Sequence, residues 1–346
     1  MNALNHRLLP CLAMLAGLMA STSAHAVWTF NTATTTNLAN CGTNANGSAK
    51  TCNTAQTAGN KVDGTTVSIA GFAVSNNTAA TAKTINGTSY ATSNAGFASG
   101  TAGKWSGIAL TSWGSNGQGI SSDGTSEPNH AIDNNGKTES VLLSFSSAIA
   151  LTNIGVGYTA SSYCSNNSTP TSNKPATVFP TGSDACPSGY TKKTTQTDGS
   201  SGVDLSLFRW IGADAPVLAG TDAASMGTPG SGWQLVGNYG DFSTDTTDPY
   251  TGVNSQGLTS SYWLISAYNS GFAATAGITE TRGKLTDGDD YFKLYAVAGM
   301  TCSTQVSNGT CQPGKTNDAP EPASLALTSV ALLGLFGLRR RSRRAA

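Results

Sequence analysis

The chain has 346 residues, a formal net charge of zero, and only 11% charged side chains against 40 glycines. The neutrality is uneven: residues 27–319 hold 11 Lys and 2 Arg against 15 Asp and 3 Glu, a balance of −5. An acidic body with no basic patch argues against nucleic-acid binding, which depends on neutralising phosphates.

Met1 to Ala26 has the pattern of an export signal. Arg7 precedes an apolar stretch from Leu8 to Ala20, and Ala24-His25-Ala26 supplies the small-x-small site that signal peptidase cuts. Cleavage between Ala26 and Val27 is expected, which discards Cys11 with the leader. Residues 27–60 are rich in Thr, Asn and Ala, and are expected to form an irregular arm.

Residues 61–300 read as a mostly β body. Apolar alternation recurs at Thr65–Val74, Lys104–Trp113, Ser140–Phe145, Leu151–Tyr158, Val203–Ile211, Gly232–Tyr239, Ser260–Tyr268 and Asp290–Gly299. Gly, Asn, Asp and Pro cluster between these segments, as turns require. Eight short strands with long polar connections predict an antiparallel β-sandwich or jelly roll. Ser260–Tyr268 carries large apolar groups on both faces, so it is expected at the centre, covered on each side. Phe292, Leu294 and Ala296 are expected on one face of their strand.

Six cysteines follow the leader: Cys41, Cys52, Cys164, Cys186, Cys302 and Cys311. An even number in an exported chain reads as disulfides, with fifteen connectivities open. Local grouping favours Cys41–Cys52, Cys164–Cys186 and Cys302–Cys311, each contributing roughly 2–4 kcal/mol. A metal site is the rival reading, but no CxxC spacing occurs and His130 is the only histidine left. Residues 301–319 form a Cys-containing linker.

The catalytic inventory is thin. One histidine and no G-x-S-x-G segment leave a serine triad without its parts. Paired carboxylates could cleave a glycosidic bond, and Glu139, Asp204, Asp241 and Glu280 are the candidates. The segment Glu127–Gly136 invites a ligand reading. His130, Asp133 and Asn134 could offer oxygen and nitrogen atoms to Ca²⁺ or a sugar, with Trp113 as an exposed stacking ring. The structural alternative is that Asn135-Gly136 forms a hairpin turn capped by Asp133. Of Trp105, Trp113, Trp210, Trp233 and Trp263, at least three are expected in the core. Ca²⁺ is the one ion such a loop would suit; no cofactor is expected.

Residues 320–346 have three parts in order. Pro320-Glu321-Pro322 is followed by an apolar run over residues 323–338 and by Arg339, Arg340, Arg341, Arg343 and Arg344. As a helix, the 16-residue run would reach about 24 Å, and the arginines would hold its end on the cytoplasmic side. This tail resembles the PEP-CTERM sorting signal of Gram-negative bacteria, which exosortase, a membrane-embedded cysteine peptidase, recognises. A tail anchor that is never cut is the plainer alternative. Residues 100–300 also resemble the bodies of exosortase-dependent surface proteins, through His130–Asn134, Ser260–Asn269 and Asp290–Gly299. That resemblance implies no catalytic residues.

Together these features predict an exported, non-catalytic protein. Signal peptidase and exosortase would process it, and its body would face the periplasm while the tail sits in the inner membrane. Its destination would be the cell surface or an exopolysaccharide biofilm matrix. The alternative is a secreted carbohydrate-binding or, less favoured, carbohydrate-cleaving domain on the same route.

Overall fold

The computed structural model describes residues 26–30, 51–52, 56–57, 64–77, 82–85, 88–91, 95–112, 118–120, 131–165, 178–180, 191–196, 202–244, 250–285, 289–301, 305–306 and 310–311. The described chain is mostly β. Eleven strands bear on the site: β1 (Ala26–Thr29), β2 (Val67–Ser75), β3 (Ser106–Ile108), β4 (Ile132–Asp133), β5 (Lys137–Ser165), β6 (Val203–Trp210), β7 (Trp233–Phe242), β8 (Tyr250–Gly252), β9 (Ser260–Ala267), β10 (Glu280–Arg282) and β11 (Asp289–Thr301). All belong to one sheet.

That sheet is mixed, which corrects the wholly antiparallel expectation. Gly237, Asn238 and Tyr239 of β7 pair in parallel with Glu280, Thr281 and Arg282 of β10. The other pairings among the labelled strands are antiparallel.

The two segments expected at 140–145 and 151–158 are a single strand, β5. Its first half lies between β2 and β9, with Leu142 beside both Ala70 and Leu264. Its second half pairs with β11 and, over three residues, with β8. The chain changes partners around Ser146 and Ser147. Here the Ser146 amide donates to Thr66 O at 2.9 Å, and the Ser147 and Thr65 hydroxyls are 2.7 Å apart. A register shift between Leu151 and Asn153 then inserts an extra residue. Side chains alternate with period two, so this bulge moves the inward set from Val141, Leu143, Phe145, Ile149 and Leu151 to Ile154 and Val156. The exposed Ser146 and Ser147, upstream of the bulge, interrupt the apolar pattern and make one strand read as two.

β9 has the covered position its sequence demands. Trp263, Ile265 and Ala267 enter the main core, while Leu264 and Tyr262 join a second cluster on the opposite face. The second cluster packs Trp105, Phe208, Leu218, Met226, Trp233, Leu235 and Phe272 beneath the connection after β6 and the turn after β9. The Phe272 ring lies 4.8 Å from both Phe97 and Phe208. On β11, Phe292 and Leu294 face the main core as expected, but Val297 takes the next core place. A shift between Gly155 and Val156 against β11 explains the change of parity.

The expected irregular arm opens as a strand. β1 pairs with the end of β11, Ala26 opposite Gly299 and Thr29 opposite Ala296. Trp28 and Phe30 are fully buried in the main core. Among the described residues, no helix is long and apolar enough to cross a membrane; residues 320–346 lie outside them.

Candidate functional site

Of the four residues with ligand potential, Asp133 and Asn134 are described; His130 and Trp113 are not. Asn135-Gly136 does form a turn. Gly136 has φ +68°, a conformation that suits a residue without Cβ. The Asp133 Oδ1 accepts the Asn135 amide at 2.9 Å, capping the turn from within. The turn does not close a hairpin, however. β4 pairs with β11, placing Asp133 opposite Tyr291, while β2 and β9 occupy the edges of β5. The segment is a corner between parts of the sheet.

That corner sits on a relay of buried amides. Asn134 Nδ2 donates to Tyr268 O at 3.0 Å and lies 3.4 Å from Asp290 Oδ2, while its Oδ1 accepts the Asp290 amide at 2.9 Å. Asn76 Nδ2 donates to Asn134 O at 2.6 Å, and Asn76 Oδ1 accepts Thr138 Oγ1 at 2.6 Å. Asn269 Nδ2 donates to Thr138 Oγ1 at 2.9 Å and to Gly96 O at 3.1 Å. Its Oδ1 accepts the Gly96 and Gly271 amides at 2.7 and 2.8 Å. Asn76, Asn134, Thr138 and Asn269 are all buried. Each amide thus spends its donors and acceptors on the protein itself, as burial requires. The arrangement locks the ends of β2, β4, β9 and β11 together.

The carboxylates divide by environment. Glu139 and Asp204 are buried, and Glu139 Oε2 accepts the Asp133 amide at 3.3 Å. Asp241 is exposed, has φ +64°, and receives the Lys284 amide at 3.0 Å. Glu280 is partly exposed and sits beside Gly237 in the parallel register, four residues from Asp241 along β7.

Around Glu280 the structure gathers a cluster that the sequence did not single out. The Tyr239 hydroxyl donates to Oε1 and the Ser255 hydroxyl to Oε2, while the Ser255 amide lies 3.1 and 3.3 Å from the two oxygens. The Asn254 amide donates to the Tyr239 oxygen at 2.8 Å, and Asn254 holds φ +53°. Burial by itself would raise the Glu280 pKa. The hydroxyls of Ser255 and Tyr239 and the neighbouring amides outweigh it and hold the carboxyl below its usual value. Burial, then the hydrogen bond to Glu280, push the Tyr239 hydroxyl well above the usual tyrosine range. A carboxylate held low and a phenol held high exchange protons poorly near pH 7. The cluster therefore suits an anchor joining β7, β10 and the 254–255 turn.

Because the folded Glu280 pKa lies below its unfolded value of ~4.3, its stabilisation is present above about pH 4 and fades as pH falls through the folded value. Glu280→Gln should lose about 1 kcal/mol at neutral pH, a modest effect at this partly exposed site, and show a shallower acid limb. Melting temperature followed from pH 7 to 2 tests this. Parallel acid limbs in parent and variant would refute it.

Trp105, Trp233 and Trp263 are buried, so three of the five expected tryptophans are core. Trp210 is half-buried against Trp233 at 5.2 Å, and its Nε1 donates to Asp214 O at 2.6 Å. A Cβ on Gly212 or Gly232 would come within 2.3 Å of its ring, so backbone already lies against the indole. Little of it is left for a sugar face. Cys52, Cys164 and Cys311 fall on strands at 51–52, 137–165 and 310–311. Cys41, Cys186, Cys302, Pro320, Glu321, Pro322 and the arginines at 339–344 lie outside the described residues. Among the described residues, no group of three His, Cys, Asp or Glu is placed to hold a metal ion.

No protein family, no curated protein and no solved structure matches the chain.

Proposed function

We propose that this chain is an exported, non-catalytic surface or matrix protein of a Gram-negative bacterium, sorted by a PEP-CTERM-type tail that exosortase removes. The tail carries the reading: Pro320-Glu321-Pro322, the apolar run 323–338 and five arginines stand in that order at residues 320–346. The run would span the inner membrane transiently as a helix, with the arginines retained on the cytoplasmic side.

The body lends support of a different kind. We read its mixed sheet and two hydrophobic clusters as a sandwich-like scaffold, stapled by disulfides in the oxidising periplasm. Asn76, Asn134, Thr138 and Asn269 are turned inward, in the amide relay. Trp28, two residues beyond the expected leader cut, is a core anchor that the mature chain would keep.

Mass spectrometry of the native protein from envelope and culture medium tests the proposal. A chain that begins at Val27 and lacks the peptide Leu325–Leu338 is expected. Mature protein still containing Leu325–Leu338 would overturn the exosortase assignment in favour of a permanent anchor.

A further inference from the structure

The bond that signal peptidase is expected to cut lies inside a strand. Ala26 and Val27 flank it, and they pair with Gly299 and Ala298 of β11. Just beyond, Trp28 and Phe30 are buried in the main core. Trp28 Nε1 donates to Thr65 O at 3.1 Å and the Phe30 amide to Tyr295 O at 2.8 Å. A peptidase cleft takes its substrate as an extended segment whose backbone pairs with the enzyme. Pairing with β11 takes one edge of the backbone around Ala26–Val27 and puts the sheet where a wall of the peptidase cleft would have to stand. Withdrawing that backbone also means lifting two aromatic anchors from the core.

We propose that docking of β1 onto β11 closes the Ala26–Val27 bond to signal peptidase, so that the leader is removed only before the body has folded. The inference rests on the export reading above. Cleavage is hydrolysis: water gives its hydroxyl to the Ala26 carbonyl carbon and a proton to the Val27 nitrogen as the peptide bond breaks. β11 comes at the far end of the described body, so a chain exported N-terminus first offers the bond long before its strand partner arrives. The antiparallel register has a second consequence. The start of β1 and the end of β11 lie at the same end of the pair, Ala26 opposite Gly299.

The test uses the full 346-residue chain, diluted from urea into detergent micelles. In one arm signal peptidase is present during dilution; in the other it is added after refolding, once the near-UV circular dichroism of the tryptophans has reached its plateau. Mass spectrometry follows the appearance of chains starting at Val27. Cleavage at least tenfold slower in the second arm is expected. Equal rates in both arms would overturn the closure. No cut at Ala26–Val27 in either arm would remove the leader reading, and the inference with it. Phe30→Ala leaves the residues at the bond unchanged and should speed cleavage after refolding several-fold. Retention of the parent rate in that variant would count against docking as the cause. The order-of-addition comparison decides the matter even if the variant loses its near-UV signal.

Discussion

Trp28→Ala is expected to destabilise the body by about 3–5 kcal/mol, the largest effect of any single substitution in β1. The side chain is completely buried and meets Phe145 edge to face with ring centroids 5.0 Å apart. Its Nε1 donates to Thr65 O, so the variant leaves both a cavity and a buried carbonyl without its partner. β1 contributes only four residues of pairing, too few to hold the N-terminal strand without its anchor. Urea denaturation of the 27–319 chain measures the loss. Trp28→Phe should recover part of it, because the ring contact survives and only the indole donor and some volume go. A midpoint unchanged in Trp28→Ala would show that β1 is dispensable.

Asn269→Ala should cost roughly 3 kcal/mol or more, through a different mechanism. The amide bridges the Gly96 and Gly271 backbones to Thr138 and Asn76. Its loss strands buried donors and acceptors, each worth about 1–3 kcal/mol when left unsatisfied. Asn269→Asp is the sharper probe. It keeps the acceptor for the Gly96 and Gly271 amides, loses the donors to Thr138 Oγ1 and Gly96 O, and buries a charge. Thermal melts should place Asn269→Asp below the parent at pH 7 and bring it closer as acid neutralises the new carboxylate. An Asp variant as stable as the parent at pH 7 would argue that the relay is not a stabilising element.

Strand positions were legible wherever apolar residues alternated long enough. Val67–Ser75, Trp233–Phe242 and Ser260–Ala267 fall close to their expected places. The two-sided burial of β9 could be read from Tyr262, Leu264, Trp263 and Ile265, which leave no polar face for water. Where the apolar pattern lapsed, the strand was not legible: the exposed Ser146 and Ser147, at the change of partners, divide β5 in two. β1 was overlooked because Trp28 and Phe30 give only two alternations beside a leader and a Thr/Asn-rich stretch. Period two at those positions was the available signal.

The candidate site was half legible. Asn135-Gly136 announced a turn, and the turn is there. Its neighbours suggested a ligand loop because Asp133 and Asn134 are polar and adjacent in sequence. Folding turns them inward, where Tyr268, Asp290 and Asn76 claim their hydrogen bonds. Sequence spacing carries no information on which distant carbonyl an amide will meet. The Glu280 cluster is harder still, since Tyr239 and Glu280 are brought near by the parallel register of β7 and β10, and Ser255 joins them from the turn after β8.

By itself, the sequence determined a mostly β chain of acidic body and basic tail, because alternation, turn residues and charge are local properties. The proposed export signals belong to the same class, being contiguous segments for enzymes that read extended chain. The tertiary structure alone decided which strands pair, why the sheet is mixed, and that the first four residues at the expected cut dock on the last long strand. It also decided that the polar residues near Asp133 serve the core. Those outcomes depend on contacts between residues as distant as Asn134 and Asp290, and no local pattern encodes them.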